Sequence, residues 1–380
     1  MKRIDYVEPI PLNRLALGAI HQYVKGKAVY NHGLLIEAFE EALCRYLKVK
    51  HCLCVNSGTT GLMLAIKALG LKGEVIVPSY SFCGTVHPLA WNGITPRFID
   101  IDSKTFNLDL NQVKRNITPR TSAILAVHMY GNPCDVEALG ALAKKHGLKL
   151  IFDAAHAFGS RYKGRLLGAF GDLEVFSLQT TKVLTVLEGG FISTNQESVY
   201  KKLFLLRRQG NRGDGNCVDV GLNARMHPLA AAMGLAGLKV IDKNIQKRRK
   251  LGECYYSLLS KIPGITLQEI NKFADYIYQD IILLVDDDVF GLSRDALACQ
   301  LEKRGISTRK YYHPPVHRYS CYSHLKTPSP LKVTDHVADN IVCLPFYSSM
   351  SFGDIEYICQ TIRKIQSNHA AKSIKQRVRT

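Results

Sequence analysis

Leu35, Phe39, Leu43 and Leu47 recur four residues apart in "GLLIEAFEEALCRYL", which is the spacing of one face of an amphipathic helix. "HCLCVNSGTTGLMLAIKALG" reads as a strand, a turn of small hydroxylated residues, then a helix stopped at Gly70. "EVIVP", "TPRFIDID" and "SAILAVHMYG" are short apolar runs of the kind found in buried strands. "DVEALGALAKKHG" predicts a helix ending at Gly147, and "LKLIFDAA", "LEVFSL" and "GGFISTN" return to strands. Strands alternating with helices predict an α/β fold with a mostly parallel sheet covered on both faces. Such sheets bind ligands outside the carboxyl ends of their strands. That rule singles out Ser57, Asp153, Ser177 and Lys182, each placed just after a predicted strand.

Beyond about Asn244 the texture changes. "KNIQKRRK" predicts a charged helix, and "YQDIILLV", "SRDALACQLEKRG" and "ISTRKYY" are shorter strand and helix candidates. The expected division is a large domain over residues 1–244, including an N-terminal helical segment, and a smaller C-terminal α/β domain over 245–380 with a basic tail.

The chain has 380 residues, 46% hydrophobic and 22% charged, enough to bury a sizeable core. Its formal charge of +18 is spread along the sequence and concentrated only in "KSIKQRVR", Lys372 to Arg379. Nucleic-acid binding needs a localised basic face, so no nucleic-acid partner is expected. Met1 leads into no apolar leader, and "HPLAAAMGLAGL" is too short to cross a bilayer, so no membrane association is expected. Eleven scattered cysteines fit a reducing compartment, which makes the cytoplasm the expected location. Cys52 and Cys54 fall on one face of a predicted strand and read as core. His313, His317, Cys321 and His324 tempt a metal assignment, but Pro314 and Pro315 break any helix that would align them. No metal is expected.

Three features carry chemistry. In "NSGTTGL", Ser57, Gly58, Thr59 and Thr60 stand where a helix start offers free N–H groups to an anion. The same residues would also serve as a plain helix cap. No nucleotide P-loop motif occurs. Asp153 ends an apolar strand, where a carboxylate is costly unless paired; it is either a cap or the partner of a buried cation. Lys182 is the single amine of "VFSLQTTKVLTVLEGGF". It either snorkels to water or, desolvated, becomes a nucleophilic amine. A phosphate cradle, a strand-end carboxylate and a lone lysine together form the set that pyridoxal 5'-phosphate requires.

In "FEEAL", "NSGTTGL", "VIVPSYSFCGTV", "FIDIDSKTFNLD", "HGLKLIFDAAHAFG", "FSLQTTKVLTVLEGGF", "GLNARMHPLAAAMGLAGL" and "YYHPPVH" the chain resembles the DegT/DnrJ/EryC1/StrS sugar aminotransferases. These belong to the fold-type I, aspartate-aminotransferase-like group. The resemblance implies that Lys182 carries the cofactor, Asp153 pairs with its ring nitrogen and His156 lies near its ring hydroxyl. It implies that Phe82 stacks on the ring and that Gly58, Thr59 and Ser177 hold the phosphate. Asn223, helped by Arg225, would reach the phosphate of a neighbouring subunit, implying a homodimer with shared sites. Tyr312 and His317 would contact substrate.

The family usually has Gly-Glu-Gly-Gly after the lysine, whereas this chain has Leu187-Glu188-Gly189-Gly190. Leucine does not readily adopt glycine's backbone angles, so this loop is expected to be shaped differently. "GLNARM" also lacks the aromatic residues common around that Asn and Arg, a departure expected to alter the sugar pocket or the dimer contact. The implied reaction is amination of a nucleoside-diphosphate keto sugar with L-glutamate as donor. Arg161, Lys163 and Arg165 are candidates for the diphosphate. A cofactor-dependent sugar dehydratase is the alternative on the same fold, but relatives of that kind replace the lysine with histidine. A non-catalytic regulatory or nucleic-acid-binding protein is the alternative from another class, and intact Lys182 and Asp153 argue against it.

Overall fold

The computed structural model describes residues 3–7, 17, 18, 21 and 34–377, with backbone alone for 370–377. The basic side chains from Lys372 onward lie outside the described residues. The large region begins with α1 (Leu34–Leu47), β1 (His51–Val55), α2 (Gly58–Ala68), β2 (Glu74–Pro78), α3 (Cys83–Trp91) and β3 (Thr95–Ile99). It continues through α4 (Leu110–Asn116), β4 (Thr121–Val127), α5 (Val136–His146), β5 (Lys149–Asp153) and the short β6 (Arg161–Tyr162) and β7 (Arg165–Leu166). Then come β8 (Leu173–Ser177), β9 (Gly190–Thr194), α6 (Glu197–Arg207), α7 (Pro228–Leu238) and α8 (Ile241–Leu259). The remainder comprises β10 (Ile265–Leu267), β11 (Ala274–Asp275), β12 (Ile281–Val285), α9 (Arg294–Glu302), α10 (Lys332–Asn340), β13 (Ile341–Leu344) and α11 (Phe352–Arg377).

Local chemistry sets the helix ends. The Ser57 hydroxyl accepts from Thr60 N at 3.1 Å to start α2, and Asp135 accepts from Ala138 N at 3.0 Å to start α5. Gly147, at φ 65°, closes α5 in the left-handed conformation expected of a terminal glycine.

Seven strands form the main sheet in the order β1-β9-β8-β5-β4-β2-β3. β9 runs antiparallel to β8 and β1, while β2, β3, β4, β5 and β8 pair in parallel. Side chains alternate between two cores. In β4, Ala123, Leu125 and Val127 face one cluster, whereas Ile124 and Ala126 face the other. Because both faces are buried, these strands read as unbroken apolar runs. Cys52 and Cys54 share the second cluster, as core cysteines.

The C-terminal strands form a smaller antiparallel sheet, β10-β12-β13. Ile281, Leu283 and Val285 of β12 pack in a third core, while Ile282 and Leu284 belong to the first. The small sheet therefore lies against the main domain with one face buried on it. The expected divide at 244/245 falls inside α8, whose buried stripe of Ile241, Ile245, Arg248 and Leu251 runs straight through it. Ile4, expected with the large domain, packs in the third cluster and hydrogen-bonds Gly305 O and Ser307 N at 2.7 and 3.0 Å.

Candidate active site

A cavity of about 310 Å³ opens at the carboxyl ends of the parallel strands. Gly58, Thr59, Phe82, Asp153, His156, Ser177, Lys182 and Tyr312 all line it. Strand register explains the convergence. Asp153 shares the face of Ile151, which packs in the first core, on the side where α2 begins. β8 lies beside β5 and ends at Ser177, so the chain turns from there directly into Lys182.

The cradle is tight. A Cβ on Gly190 would stand 2.7 Å from both Gly58 N and Phe176 O, a separation atoms do not tolerate. This is why a glycine pair follows the lysine: only glycine lets β9 start against the α2 N-terminus. A Cβ on Gly58 would in turn press to 3.3 Å on Ser177 Cβ. Leu187, ahead of that pair, takes φ 74° itself and is 39% exposed. The leucine thus adopts the left-handed backbone expected to exclude it, a strain of about 1–2 kcal/mol. Leu187→Gly is expected to raise the thermal midpoint slightly, by about 1–2 °C, because glycine's own entropic cost offsets part of the relief. A lower midpoint by calorimetry would mean the leucine is held there by contacts worth more than its strain.

Asp153 is 5% exposed and fully engaged. Thr85 Oγ1 donates to Oδ2 at 2.7 Å and Ala155 N to Oδ1 at 3.0 Å. Burial raises its carboxyl above the ordinary range, and the bonds from Thr85 and Ala155, then Lys182 and His128, pull it back. Burial pushes the Lys182 amine below the ordinary lysine range, opposed by Asp280 and then Asp153. His156 is driven well below the ordinary imidazole range by burial and then by Lys182, so its ring is neutral. Its Nε2 meets the Tyr312 hydroxyl at 3.1 Å, while its buried Nδ1 has no hydrogen-bond partner among the described residues. Phe82 is 54% exposed, so it lines the cavity as an accessible ring, not as a core aromatic.

Two predicted residues lie elsewhere. His317 bonds Ser79 Oγ through Nδ1 at 2.7 Å and approaches Asp335 through Nε2 at 3.3 Å, away from this cavity's lining. These bonds tie the 316–318 turn to the end of β2. Asn223 is exposed beside the cradle, its Oδ1 accepting from Arg225 Nε at 3.4 Å. The basic hairpin is also committed: Lys163 contacts Glu137 at 2.5 Å, Arg161 reaches Asp275 at 4.0 Å, and the Arg165 guanidinium lies over Phe170. His313 faces Asp339 at 3.4 Å.

The structure adds residues that the motifs did not mark. Thr85, Gln179, Glu188, Asp280, Tyr311 and Tyr6 also line the cavity. Thr85 sits within a segment already notable for its likeness to the family, three residues past Phe82. Asp280 precedes the apolar run of β12, a signal of the same kind as Asp153 but at the opposite strand end.

The arrangement fits a phosphate-bearing aldehyde cofactor. It offers a helix N-terminus without room for a Cβ, a buried carboxylate at one end, an orphaned imidazole nitrogen and a desolvated amine. The sequence profile of the DegT/DnrJ/EryC1/StrS aminotransferase family matches residues 13–363. Over 347 residues the chain is 37% identical to dTDP-4-amino-4,6-dideoxy-D-glucose transaminase of Shigella dysenteriae, covering 90% of this chain and 93% of that one. It is 34% identical over 340 residues to GDP-perosamine synthase of Vibrio cholerae, covering 88% and 92%. The solved structure of DesI in the presence of its TDP-sugar product superposes with a TM-score of 0.91 at 33% identity, covering 100% of this chain and 96% of that one.

Proposed function

The chain belongs to the DegT/DnrJ/EryC1/StrS aminotransferase family and is a nucleotide-sugar aminotransferase dependent on pyridoxal 5'-phosphate, and from that premise we propose that it aminates a nucleoside-diphosphate 4-keto-6-deoxyhexose with L-glutamate as donor. The observation that carries this reading is the desolvated Lys182 on the wall of a cavity that also holds Asp153 and the N-terminus of α2. Gly58, Thr59 and Ser177 would hold the cofactor's phosphate, Phe82 its ring face, Asp153 its ring nitrogen, and His156 its ring hydroxyl. When bound, the cofactor supplies an electron sink for the carbon that loses a proton. Lys182 supplies the base: burial favours its neutral amine, and a positioned amine can take a proton from one carbon and return it to another. Neutral His156, its Nε2 3.1 Å from the Tyr312 hydroxyl, lines the same cavity.

Amination at C4 follows the name of the relative from Shigella dysenteriae, and the relatives from Shigella dysenteriae and Vibrio cholerae differ in nucleotide. A panel of dTDP- and GDP-linked keto sugars, with the carbonyl at C4 or C3, is incubated with glutamate and the products identified by mass spectrometry and NMR. Amination of a 4-keto sugar with release of 2-oxoglutarate is the expected result. No amino sugar from any member of the panel would sink the reading. Among the described residues no helix is long and apolar enough to cross a membrane, and the proposed place of action is the cytoplasm.

Assembly is part of the proposal. Asn223 lies exposed beside the cradle, and Val218, Val220 and Leu222 next to it are 40%, 80% and 36% exposed. An apolar edge beside an incomplete phosphate site suits a second copy of the chain, with Asn223 reaching the partner's phosphate. Asn223→Ala is expected to leave the protein folded and weaken cofactor retention about 5- to 10-fold, the loss of roughly one hydrogen bond. Equal occupancy by absorbance after dialysis, or a strictly monomeric parent by light scattering, would count against the shared site.

A further inference from the structure

Asp280 has no role in the set derived above, yet it and the two residues before it are held by several hydrogen bonds. It immediately precedes β12, whose Ile282 and Leu284 are buried on the main domain, and it lines the same cavity as Lys182. Lys182, Asp280, Tyr6 and Thr181 line both this cavity and a second one of about 160 Å³ on the other side of the lysine. The chains carrying the two charges are joined at adjacent residues: Gln279 Nε2 donates to Thr181 O at 2.8 Å. Arg248 donates to the carbonyls of Tyr278 and Gln279, both at 2.8 Å. The Tyr6 hydroxyl donates to Asp280 Oδ1 at 2.7 Å, from 274 residues away in sequence.

We propose that Asp280 is a positioning residue: its carboxylate, anchored by Tyr6 and by the chain fixed through Arg248 and Gln279, holds the ammonium form of Lys182 once the lysine has taken up a proton. This rests on Lys182 being the base of the proposed reaction. The division of labour follows from what faces the amine. Asp153 stands on β5 with both oxygens engaged, and the ring nitrogen it would pair with neutralises its charge. His156 is neutral. Glu188, Tyr311 and Tyr312 also line the main cavity, Tyr347 and Arg248 line the second, and Arg248 favours the ionised form of Asp280. Asp280 is then the carboxylate left to Lys182. Burial alone would give a neutral but weakly basic amine; a second carboxylate restores its affinity for a proton. Tyr6 stays a donor because burial and then Asp280 keep its phenol protonated.

The test reads the amine without substrate. Full-length protein freed of cofactor is treated briefly with acetic anhydride over about pH 6 to 11, and acetylation of Lys182 is followed by peptide mass spectrometry. Asp280→Asn is expected to lower the midpoint by about one pH unit or more, raising labelling roughly 10-fold at a fixed pH below it. Tyr6→Phe should lower it less, because the unsupported carboxylate protonates more readily, and Asp280→Glu should restore most of the loss. In the holoenzyme the acid limb of turnover should move down in the same order. An unmoved midpoint in Asp280→Asn with parental circular dichroism overturns the proposal. If that variant does not fold, an unmoved midpoint in Tyr6→Phe overturns it. Labelling needs no sugar, so a blank result with the sugar panel would remove the proposed function without touching this measurement.

Discussion

Lys182→Arg is expected to fold, to lose the absorbance of the lysine-linked cofactor, and to lose turnover by about 10³-fold or more. The argument is one of chemistry at fixed charge. Guanidinium keeps the positive charge and most of the length, but it does not condense with an aldehyde and does not give up its proton near neutral pH. A lysine that merely snorkelled or bridged carboxylates would tolerate the change, since Arg could still face Asp153 and Asp280. Borohydride should fix the cofactor to the peptide containing Lys182 in the parent and to nothing in the variant. The label on another lysine, or near-parental turnover in the variant, would remove Lys182 from the centre of the reaction.

The sequence marked this centre because Lys182 and Asp153 each break an uncharged run, and a charge in such a run must be placed for a reason. Asp280 escaped notice on the same logic. It borders an apolar run as Asp153 does, but at the amino end, where a sheet of this kind is not expected to bind ligands, and β12 is buried on both faces, so no alternation reports which way Asp280 points. Its partner Tyr6 lies 274 residues away, a pairing that no local pattern carries. His317 has a partner of the same long-range kind, since its Nδ1 meets Ser79 Oγ from 238 residues away at 2.7 Å. The fold itself was readable because short apolar runs and capped helices are local signals. The expected divide at 244/245 falls inside α8, where Lys243, Lys247 and Lys250 are exposed while the buried stripe of Ile241, Ile245, Arg248 and Leu251 passes beneath them.

Asp153→Asn should separate catalysis from folding. The amide is the same shape, and its oxygen can still accept from Ala155 N; its NH2 then faces Thr85, whose hydroxyl can turn to accept. Burial raises the Asp153 carboxyl above the ordinary range, so the folded state holds that proton more tightly than the unfolded chain. The associated stability is complete below the unfolded carboxylate value and is lost as pH rises through the raised folded value. At neutral pH the ionised carboxylate therefore costs the fold, and a neutral amide removes that cost. The cofactor-free variant is expected to melt at or above the parent's midpoint at neutral pH, with the difference disappearing as the pH is lowered. Turnover should move the other way, down by about 10²-fold or more, because an uncharged partner no longer holds the ring nitrogen protonated and the electron sink weakens. Unchanged turnover would reduce Asp153 to the turn it makes with Ala155. A lowered midpoint with lowered turnover would make its contribution structural. Loss of turnover in a protein as stable as its parent is the signature of a charge kept in the core for its chemistry.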